Sequence, residues 1–514
     1  MSLHRLPLPH APWLRTVVSA CAMGAVSVSA QAPTDLRLAL VIGNSAYVGA
    51  PLLNPANDAR AMSEALKAMG FTVIEARDAS KAQMQQALAQ AGAALKGKNG
   101  VGMLYYAGHG LQLDWHNYMV PVDAKLGSAA EVPAQTVDVQ AVVDAFKLAG
   151  NRMNIVVLDA CRDNPFAATA SAKGLAPMDA PTGTFLAYAT APGNVAEDGD
   201  AKSGNGLYTQ FLVQEMQQPS TAIENVFKRV RLQVRKQSRG RQVPWESTSL
   251  EDDFYFNTGT TRPPKATERE KEAAFAHEKT DWDRIKDSKS VDDFYDYLQK
   301  YPAGSASELA EARLERLAAA RVVPQADRSG EIQNPVVNRF RLGDRYEFVL
   351  KDGLTGLERV RFKAQVNSID GDVARYTGMF GPGTKGASTV AGAVLEDSSG
   401  SYDPPYTLIP GGEYQVGKRW SGRSIRTSPR GGQGWFDYSG RIVGRERIEV
   451  GAGAFDTYKV EMDINDEDGS RRKITWWSQP EWGFPLKMII EIRERSGGAP
   501  TIFVRETLAR QRTP

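Results

Sequence analysis

The sequence predicts an α/β fold at its N-terminal side, with a mostly parallel sheet covered by helices on both faces, followed by a small helical module and an antiparallel β region. Three observations carry the prediction. Apolar runs without alternation, such as Leu36 to Ile42 and Gly100 to Tyr106, read as strands buried on both faces. Segments of helical spacing stand between such runs, the pattern of strand-helix-strand units. Beyond Arg345 short alternating segments separated by Gly- and Asp-rich turns replace that pattern, as in an antiparallel sheet.

In chain order, Leu36 to Ile42 is a strand, Pro55 to Met69 a helix closed by Gly70, and Phe71 to Glu75 a strand. An Ala/Gln-rich helix over Ser80 to Leu95 leads to the strand Gly100 to Tyr106, and a helix over Asp138 to Leu148 to the strand Asn154 to Asp159. Gly183 to Ala189 is a further strand, Leu207 to Met216 and Ala222 to Gln237 are helices, and Phe254 to Phe256 reads as the closing strand. Charged helix formers then predict helices over Thr267 to Asp287, Val291 to Leu298 and Ala306 to Ala320, with the turn Tyr301-Pro302-Ala303-Gly304 before the last. Their Glu/Lys runs are expected to be a solvated face. The β region is expected to contain strands over Arg345 to Lys351, Val360 to Val366, Val373 to Met379, Arg441 to Val450, Asp456 to Asp463, Arg472 to Trp477, Leu486 to Arg493 and Thr501 to Thr507. Its tryptophans, Trp420, Trp435, Trp476, Trp477 and Trp482, suit buried packing better than a binding face. The expected domains are a leader over 1–30, an α/β domain over 35–260, a helical module over 261–330 and a β domain over 334–514.

Composition narrows the function classes. With 62 basic and 60 acidic residues, net charge +2 and 42% hydrophobic residues, the chain has the balance of a globular protein and no basic footprint for nucleic acid. Met1 to Ala30 reads as a secretory signal, with Arg5 and Arg15 as the basic front, an apolar run from Thr16 to Val28, and Val28-Ser29-Ala30 as the small-residue cleavage pattern. A lipobox reading of Val18-Ser19-Ala20-Cys21 is disfavoured because Arg15 shortens the apolar run before Cys21. No later stretch is long and apolar enough to span a bilayer as a helix. The expected location is therefore periplasmic or secreted. Loss of the leader removes Cys21 and leaves Cys161 as the remaining thiol, either a small buried hydrophobe or a nucleophile.

Two segments carry chemistry. Gly108-His109-Gly110 follows the strand ending at Tyr106, and Asp159-Ala160-Cys161 ends the strand from Asn154. Reacting groups collect at the carboxyl ends of strands in open α/β sheets, so both segments are expected on one rim. A nucleophilic thiol needs a base beside it, and His109 can supply it. The amides of Gly110 and Cys161 are candidate oxyanion donors. Strand alternation puts Asp159 on the same side as Cys161. His116, with His109 and Asp114, forms no recognised metal pattern and reads as a loop histidine; no metal or other cofactor is assigned, and no phosphate-binding glycine loop stands out.

These residues resemble a known family. LALVIGNSAY, NPANDARAMSEALKAMGF, YYAGHG with His109, NYMVPVDA, VVLDACRDNPF with Cys161 and QVPWESTSLEDDFYF resemble the caspase/metacaspase clan of cysteine peptidases, C14 family, in its bacterial orthocaspase branch, over about Arg37 to Phe256. The resemblance implies a His109/Cys161 dyad, a peptide or protein substrate and a caspase-like sheet. Asp159 and Asp163 replace the Gln and Gly of the caspase signature, which implies the metacaspase type, cleaving after Arg or Lys with Asp159 lining the pocket. Glu197 and Asp198 are candidates for a second acidic position, and Lys173 and Lys202 for self-cleavage. The leading reading is thus a cysteine endopeptidase of unassigned oligomeric state. The alternative is a catalytically idle caspase-fold binding or scaffold protein of the cell envelope.

Overall fold

The unbroken apolar runs become the centre of a sheet. The computed structural model describes residues 36–114, 116–161, 175, 178, 180–190, 204–259, 266–321, 340–408, 414, 416–480, 482–495 and 500–512. The leader, Lys173, Glu197, Asp198 and Lys202 lie outside them.

The first region runs β1 (Arg37–Gly43), α1 (Pro55–Ala68), β2 (Thr72–Arg77), α2 (Lys81–Leu95), β3 (Val101–Leu113), β4 (His116–Met119), α3 (Val132–Gln135), β5 (Val137–Asp138), α4 (Val139–Leu148), β6 (Met153–Cys161), β7 (Thr184–Tyr188), α5 (Leu207–Met216), α6 (Ile223–Gln237) and β8 (Trp245–Thr248). The main sheet has the order β2-β1-β3-β6-β7-β8, with β4 and β5 added on β3. All its neighbours are parallel except β7 and β8. Alternate residues feed two layers. Val41, Met103, Tyr105 and Val157 pack with Met62, Leu212 and Val230 of α1, α5 and α6, while Leu40, Leu104, Tyr106 and Leu158 pack with Leu95, Val142 and Phe146 of α2 and α4. Local signals agree: Pro55 opens α1, Ser80 and Gln83 form a capping box on α2, and the Asp138 carboxylate accepts the Gln140 amide at the start of α4.

Two strand expectations change. β3 does not stop at Tyr106 but continues to Leu113 through Gly108-His109-Gly110. The closing strand is Trp245–Thr248, because Phe254 and Phe256 bury their rings against Phe71 and Phe227, and Tyr255 between them makes a single bridge to Ala222. Burial of two rings two residues apart mimics a strand in sequence while fixing only a loop.

The second region holds α7 (Glu268–Ile285), α8 (Val291–Lys300) and α9 (Ser307–Arg321), packed through Trp282, Phe294, Leu298 and Leu314. Twelve strands follow: β9 (Arg345–Asp352), β10 (Glu358–Asp370), β11 (Val373–Thr377), β12 (Lys385–Thr389), β13 (Ala393–Asp397), β14 (Gly400–Thr407), β15 (Arg419–Thr427), β16 (Gln433–Val450), β17 (Gly453–Asp466), β18 (Arg471–Ser478), β19 (Lys487–Arg493) and β20 (Thr501–Gln511). Each pairs with the next, and β20 pairs with β9, so the antiparallel region is a closed barrel. Trp420, Trp476 and Trp477 are buried, and Trp435 and Trp482 are half-buried. Charges of the helical module are not all solvated: Lys279 pairs with Asp403 at 2.7 Å, Lys418 with Glu308 at 3.3 Å, and Arg423 with Glu268. Among the described residues no helix is long and apolar enough to cross a membrane.

The barrel touches the edge strand β8. Ser247 Oγ donates to the Val416 carbonyl at 3.0 Å, and Arg419 donates to the Leu250 carbonyl. Gly417, at φ +90°, lies so close that a Cβ there would stand 1.4 Å from the Thr248 carbonyl oxygen. Backbone meets backbone, so neither side can move a side chain away. We predict that Gly417→Ala destabilises the protein by about 2–4 kcal/mol through strain and forced separation. Gly431→Ala, at φ +85° with nothing within 4 Å, isolates the backbone strain alone. Urea unfolding of both variants is expected to show Gly417→Ala with the clearly larger loss; equal losses would remove the contact from the account.

Candidate active site

The two chemical segments meet by strand register. In the parallel ladder of β3 and β6, Ala107 is opposite Asp159, Gly108 opposite Ala160, and His109 opposite Cys161. These are the last residues of β6 and the point where β3 passes beyond the main sheet, at the carboxyl ends of both strands. The predicted rim is therefore formed by adjacent strands.

The His109 backbone is held by two tyrosine hydroxyls. Its N–H donates to Tyr47 Oη at 3.0 Å, and its carbonyl accepts from Tyr106 Oη at 2.6 Å. Each hydroxyl has a second commitment: Tyr47 donates to the Val120 carbonyl at 3.0 Å, and Tyr106 accepts from the Val120 N–H at 3.1 Å. Burial pushes the Tyr47 hydroxyl up to about 12, so it remains a donor at neutral pH. Gly108 has φ +152°, and a Cβ on it would stand 2.6 Å from Tyr47 Oη and 2.8 Å from Tyr106 Oη. Glycine is required there because the hydroxyls that hold the next residue occupy that space.

The imidazole is oriented from the opposite direction. His109 Nε2 lies 2.8 Å from the Ala50 carbonyl, and the ring packs on Tyr47 with centroids 4.4 Å apart. A carbonyl can only accept, so Nε2 carries the proton and Nδ1 of the neutral ring keeps its lone pair. The loop bearing Ala50 is anchored at its start: Asp78 accepts the amides of Ser45 and Ala46 at 2.7 and 2.9 Å, and the buried Asn44 side chain donates to the Val120 carbonyl at 3.1 Å.

Gly110 faces Met119 of β4. The Val120 amide donates to the His109 carbonyl, which makes Gly110 and Met119 a non-hydrogen-bonded pair and turns the Gly110 N–H away from β4, toward the β6 side. His116 pairs instead with Asp138, Nδ1 to Oδ2 at 3.0 Å, and Asp114 sits in the turn with φ +50°.

Asp159 points into the layer of α1 and α5. Its Oδ2 accepts from Thr209 Oγ1 at 2.6 Å and lies 3.4 Å from Tyr105 Oη, which in turn bonds Thr209. A second carboxylate, not singled out from the sequence, belongs here. The buried Asp58 of α1 accepts the Gly206 amide at 2.9 Å, and a Cβ at Gly206 would stand 3.2 Å from Asp58 Oδ2 and 3.8 Å from Asp159 Oδ2. Burial, followed by the charges of Asp159 and Asp58, holds the Tyr105 hydroxyl well above its ordinary range, a consequence of both acids lying near one ring. In sequence Asp58 is an acid in the first turn of a helix, where the helix dipole alone suffices to explain it.

The region that holds this arrangement is similar to known proteins. Residues 36–255 match the family Peptidase_C14, described as a caspase domain. Over 179 residues the chain is 30% identical to mucosa-associated lymphoid tissue lymphoma translocation protein 1 of Homo sapiens, and equally to its Mus musculus homolog. The aligned segment is 34% of this chain and 21% of each relative, so the chain spans about a fifth of their length.

The tyrosine clamp is testable without any assay of activity. Tyr106→Phe removes one of two acceptors of the buried Val120 N–H and one of two donors to the His109 carbonyl, leaving their mutual bond at 3.0 Å, and is expected to cost about 0.5–1.5 kcal/mol. Denaturant unfolding measures it; a change below about 0.5 kcal/mol, the size of an ordinary surface substitution, would show the hydroxyl to be idle.

Proposed function

We propose, on the premise that residues 36–255 form a caspase domain of the Peptidase_C14 family, that the protein is a cysteine-type endopeptidase working through Cys161 and His109 and cleaving after Arg or Lys. The observation that carries the proposal is the register pairing of His109 with Cys161 at the ends of adjacent parallel strands. Nδ1 of His109 takes the Cys161 thiol proton, and the thiolate adds to the carbonyl carbon of the scissile bond. The resulting oxyanion is held by the amides of Gly110 and Cys161. The imidazolium returns the proton to the amine nitrogen, the C–N bond breaks, and a thioester remains. Water, giving its proton to His109, then hydrolyses the thioester and releases the carboxylic acid and the thiol. The Ala50 carbonyl bonded to Nε2 stabilises the imidazolium and keeps the ring aimed.

The basic preference is supported by the two carboxylates. Asp58 and Asp159 converge on Gly206 at the N-terminus of α5, beside the end of β6. A guanidinium or ammonium entering there gains charge-assisted bonds, whereas a substrate carboxylate meets repulsion. Glu197 and Asp198 stay candidates for the same pocket. Export to the periplasm or beyond, directed by residues 1–30, completes the reading.

Cys161→Ala and His109→Ala are each expected to lower kcat by about 10³-fold or more while the protein stays folded, since the pair acts as a unit. Asp58→Asn and Asp159→Asn are expected to reduce kcat/KM for Arg-containing peptides by about 10²-fold, the cost of losing one member of a desolvated charge pair. A peptide library varied at the residue before the scissile bond reads the preference directly. Parental activity in a folded Cys161→Ala protein refutes the mechanism, and cleavage after Asp refutes the pocket.

A further inference from the structure

The interior of the barrel is lined by two apolar clusters, with Phe380 packed against both. One contains Tyr346, Phe348, Phe362 and Tyr376 from β9 to β11, together with Phe484; the other contains Tyr402, Phe436, Trp476 and Met488 from β14 to β19. β20 contributes to neither. Its residues Arg505 and Thr507 pair directly with Leu350 and Phe348 of β9, and Arg505 also with Met488 of β19. Opposed residues share a face of the sheet, so β20 lays a polar stripe on the inner wall between the two clusters.

Arg505 is the centre of that stripe. It is 5% exposed. Its Nη1 donates to the Met379 carbonyl at 2.9 Å, and its guanidinium carbon lies 4.7 and 5.1 Å from the ring centroids of Phe348 and Phe484. Nε and Nη2 have no hydrogen-bond acceptor among the described residues. Those two nitrogens form one edge of the guanidinium, with parallel N–H bonds matched to the two oxygens of a carboxylate.

Two other arginines of the same barrel show what that edge binds. Arg423 Nε and Nη2 reach the two Asp437 oxygens at 2.7 and 2.9 Å, and Arg472 Nε and Nη2 reach the two Asp466 oxygens at 3.2 and 3.0 Å. Both are bidentate pairs made by the edge that Arg505 leaves without an acceptor. The next inward arginine of β20, Arg510, also lacks a hydrogen-bond acceptor at Nε and Nη2 among the described residues, but the Asp344 carboxylate lies 3.7 Å from its Nη2. Burial lowers the Arg505 guanidinium to about 10, and the group remains charged at neutral pH. Among the described residues no carboxylate pairs with it, and a buried charge without a counter-ion is destabilising. Two strands away on the same inner face, the fully buried Trp476 has an Nε1–H that also lacks an acceptor among the described residues. Donors without acceptors, set among aromatic rings, describe a ligand that brings acceptors and an apolar body.

We infer that the barrel binds an organic acid with an apolar body inside it, the carboxylate seated on the Nε/Nη2 edge of Arg505 and the body lying against Phe348 and Phe484. The connection between β11 and β12 closes over this place: the Met379 carbonyl caps the guanidinium, and the Phe380 ring packs on Tyr376 and Phe484 at 6.0 and 5.7 Å. This binding site is independent of the endopeptidase reading and of His109 and Cys161.

The test uses the full chain and two carboxylate probes, dodecanoate below its micellar range and 3-phenylpropionate, which separate an aliphatic from an aromatic body. Dodecanol and acetate separate body from head group. Isothermal titration and tryptophan fluorescence are expected to show saturable one-to-one binding of at least one of the two larger acids, with dodecanol and acetate each at least tenfold weaker. Arg505→Met is expected to weaken that acid at least thirtyfold and, by removing a buried charge, to leave the ligand-free Tm equal to or above the parent's. Arg505→Lys, which keeps the charge and loses the planar edge, is expected to weaken it at least tenfold and serves if the methionine variant does not fold. Failure of both acids to bind, binding of dodecanol as tight as dodecanoate, or undiminished binding by either folded variant overturns the inference.

Discussion

The register between β3 and β6 is the constraint on which the rest of the site depends. A slip of one residue would set Gly108 or Gly110 opposite Cys161 and remove the histidine from the pair. Two adjacent tyrosines make such a slip costly. Tyr105 sends its hydroxyl into one layer, to Thr209 and Asp159, and Tyr106 sends its hydroxyl into the other, to His109 and Val120. Both side chains are fully buried, so exchanging their faces would strand two hydroxyls at once. The residues that pack the core thus also fix which backbone atoms face each other at the rim.

Much of this was legible in the sequence. Unbroken apolar runs ending in Gly-His-Gly and Asp-Ala-Cys located the strands and the rim, because burial on both faces leaves no polar alternation to misread. What was hidden has physical causes. The glycines around His109 put the motif just past a strand ending at Tyr106, yet Gly108 serves close packing inside a strand that continues. Asp58 looks like an ordinary helix-start acid, and only the chain returning at Gly206 brings it to Asp159, over a separation no local pattern records. In the β region, strands between Lys385 and Thr427 escaped notice because their sequences, such as GSYDPPYT and RWSGRSIRT, are rich in Gly, Ser, Pro and Arg. Barrel closure, a pairing of the last strand with the first, has no local signature at all.

The packing of the barrel on β8 has its own logic. The outer strand of an open sheet presents unpaired amides and carbonyls that invite another chain. Here Ser247 and Leu250, at and just beyond that strand, are engaged by Val416 and Arg419, and Gly417 allows the two backbones to touch. Ion pairs from α7 and α9 to the barrel add further tethers, among them Lys279 with Asp403 and Lys418 with Glu308. A region that bears no candidate catalytic group therefore packs against the end of the outer strand of the region that does.

The placement of two carboxylates beside the end of β6 carries a consequence for the proposed chemistry. In the proposed mechanism, negative charge on Asp58 and Asp159 would oppose a thiolate developing at Cys161 while the proposed pocket holds no cation. A substrate guanidinium entering between the carboxylates cancels that repulsion as it binds. On that proposal, recognition of a basic residue and formation of the nucleophile would favour one another, and the two acids proposed to select the substrate would restrain the thiol in its absence. His109 is held by Ala50 at Nε2 and by Tyr47 and Tyr106 through its backbone, so in the proposed mechanism the coupling would run through charge and require no movement of the base.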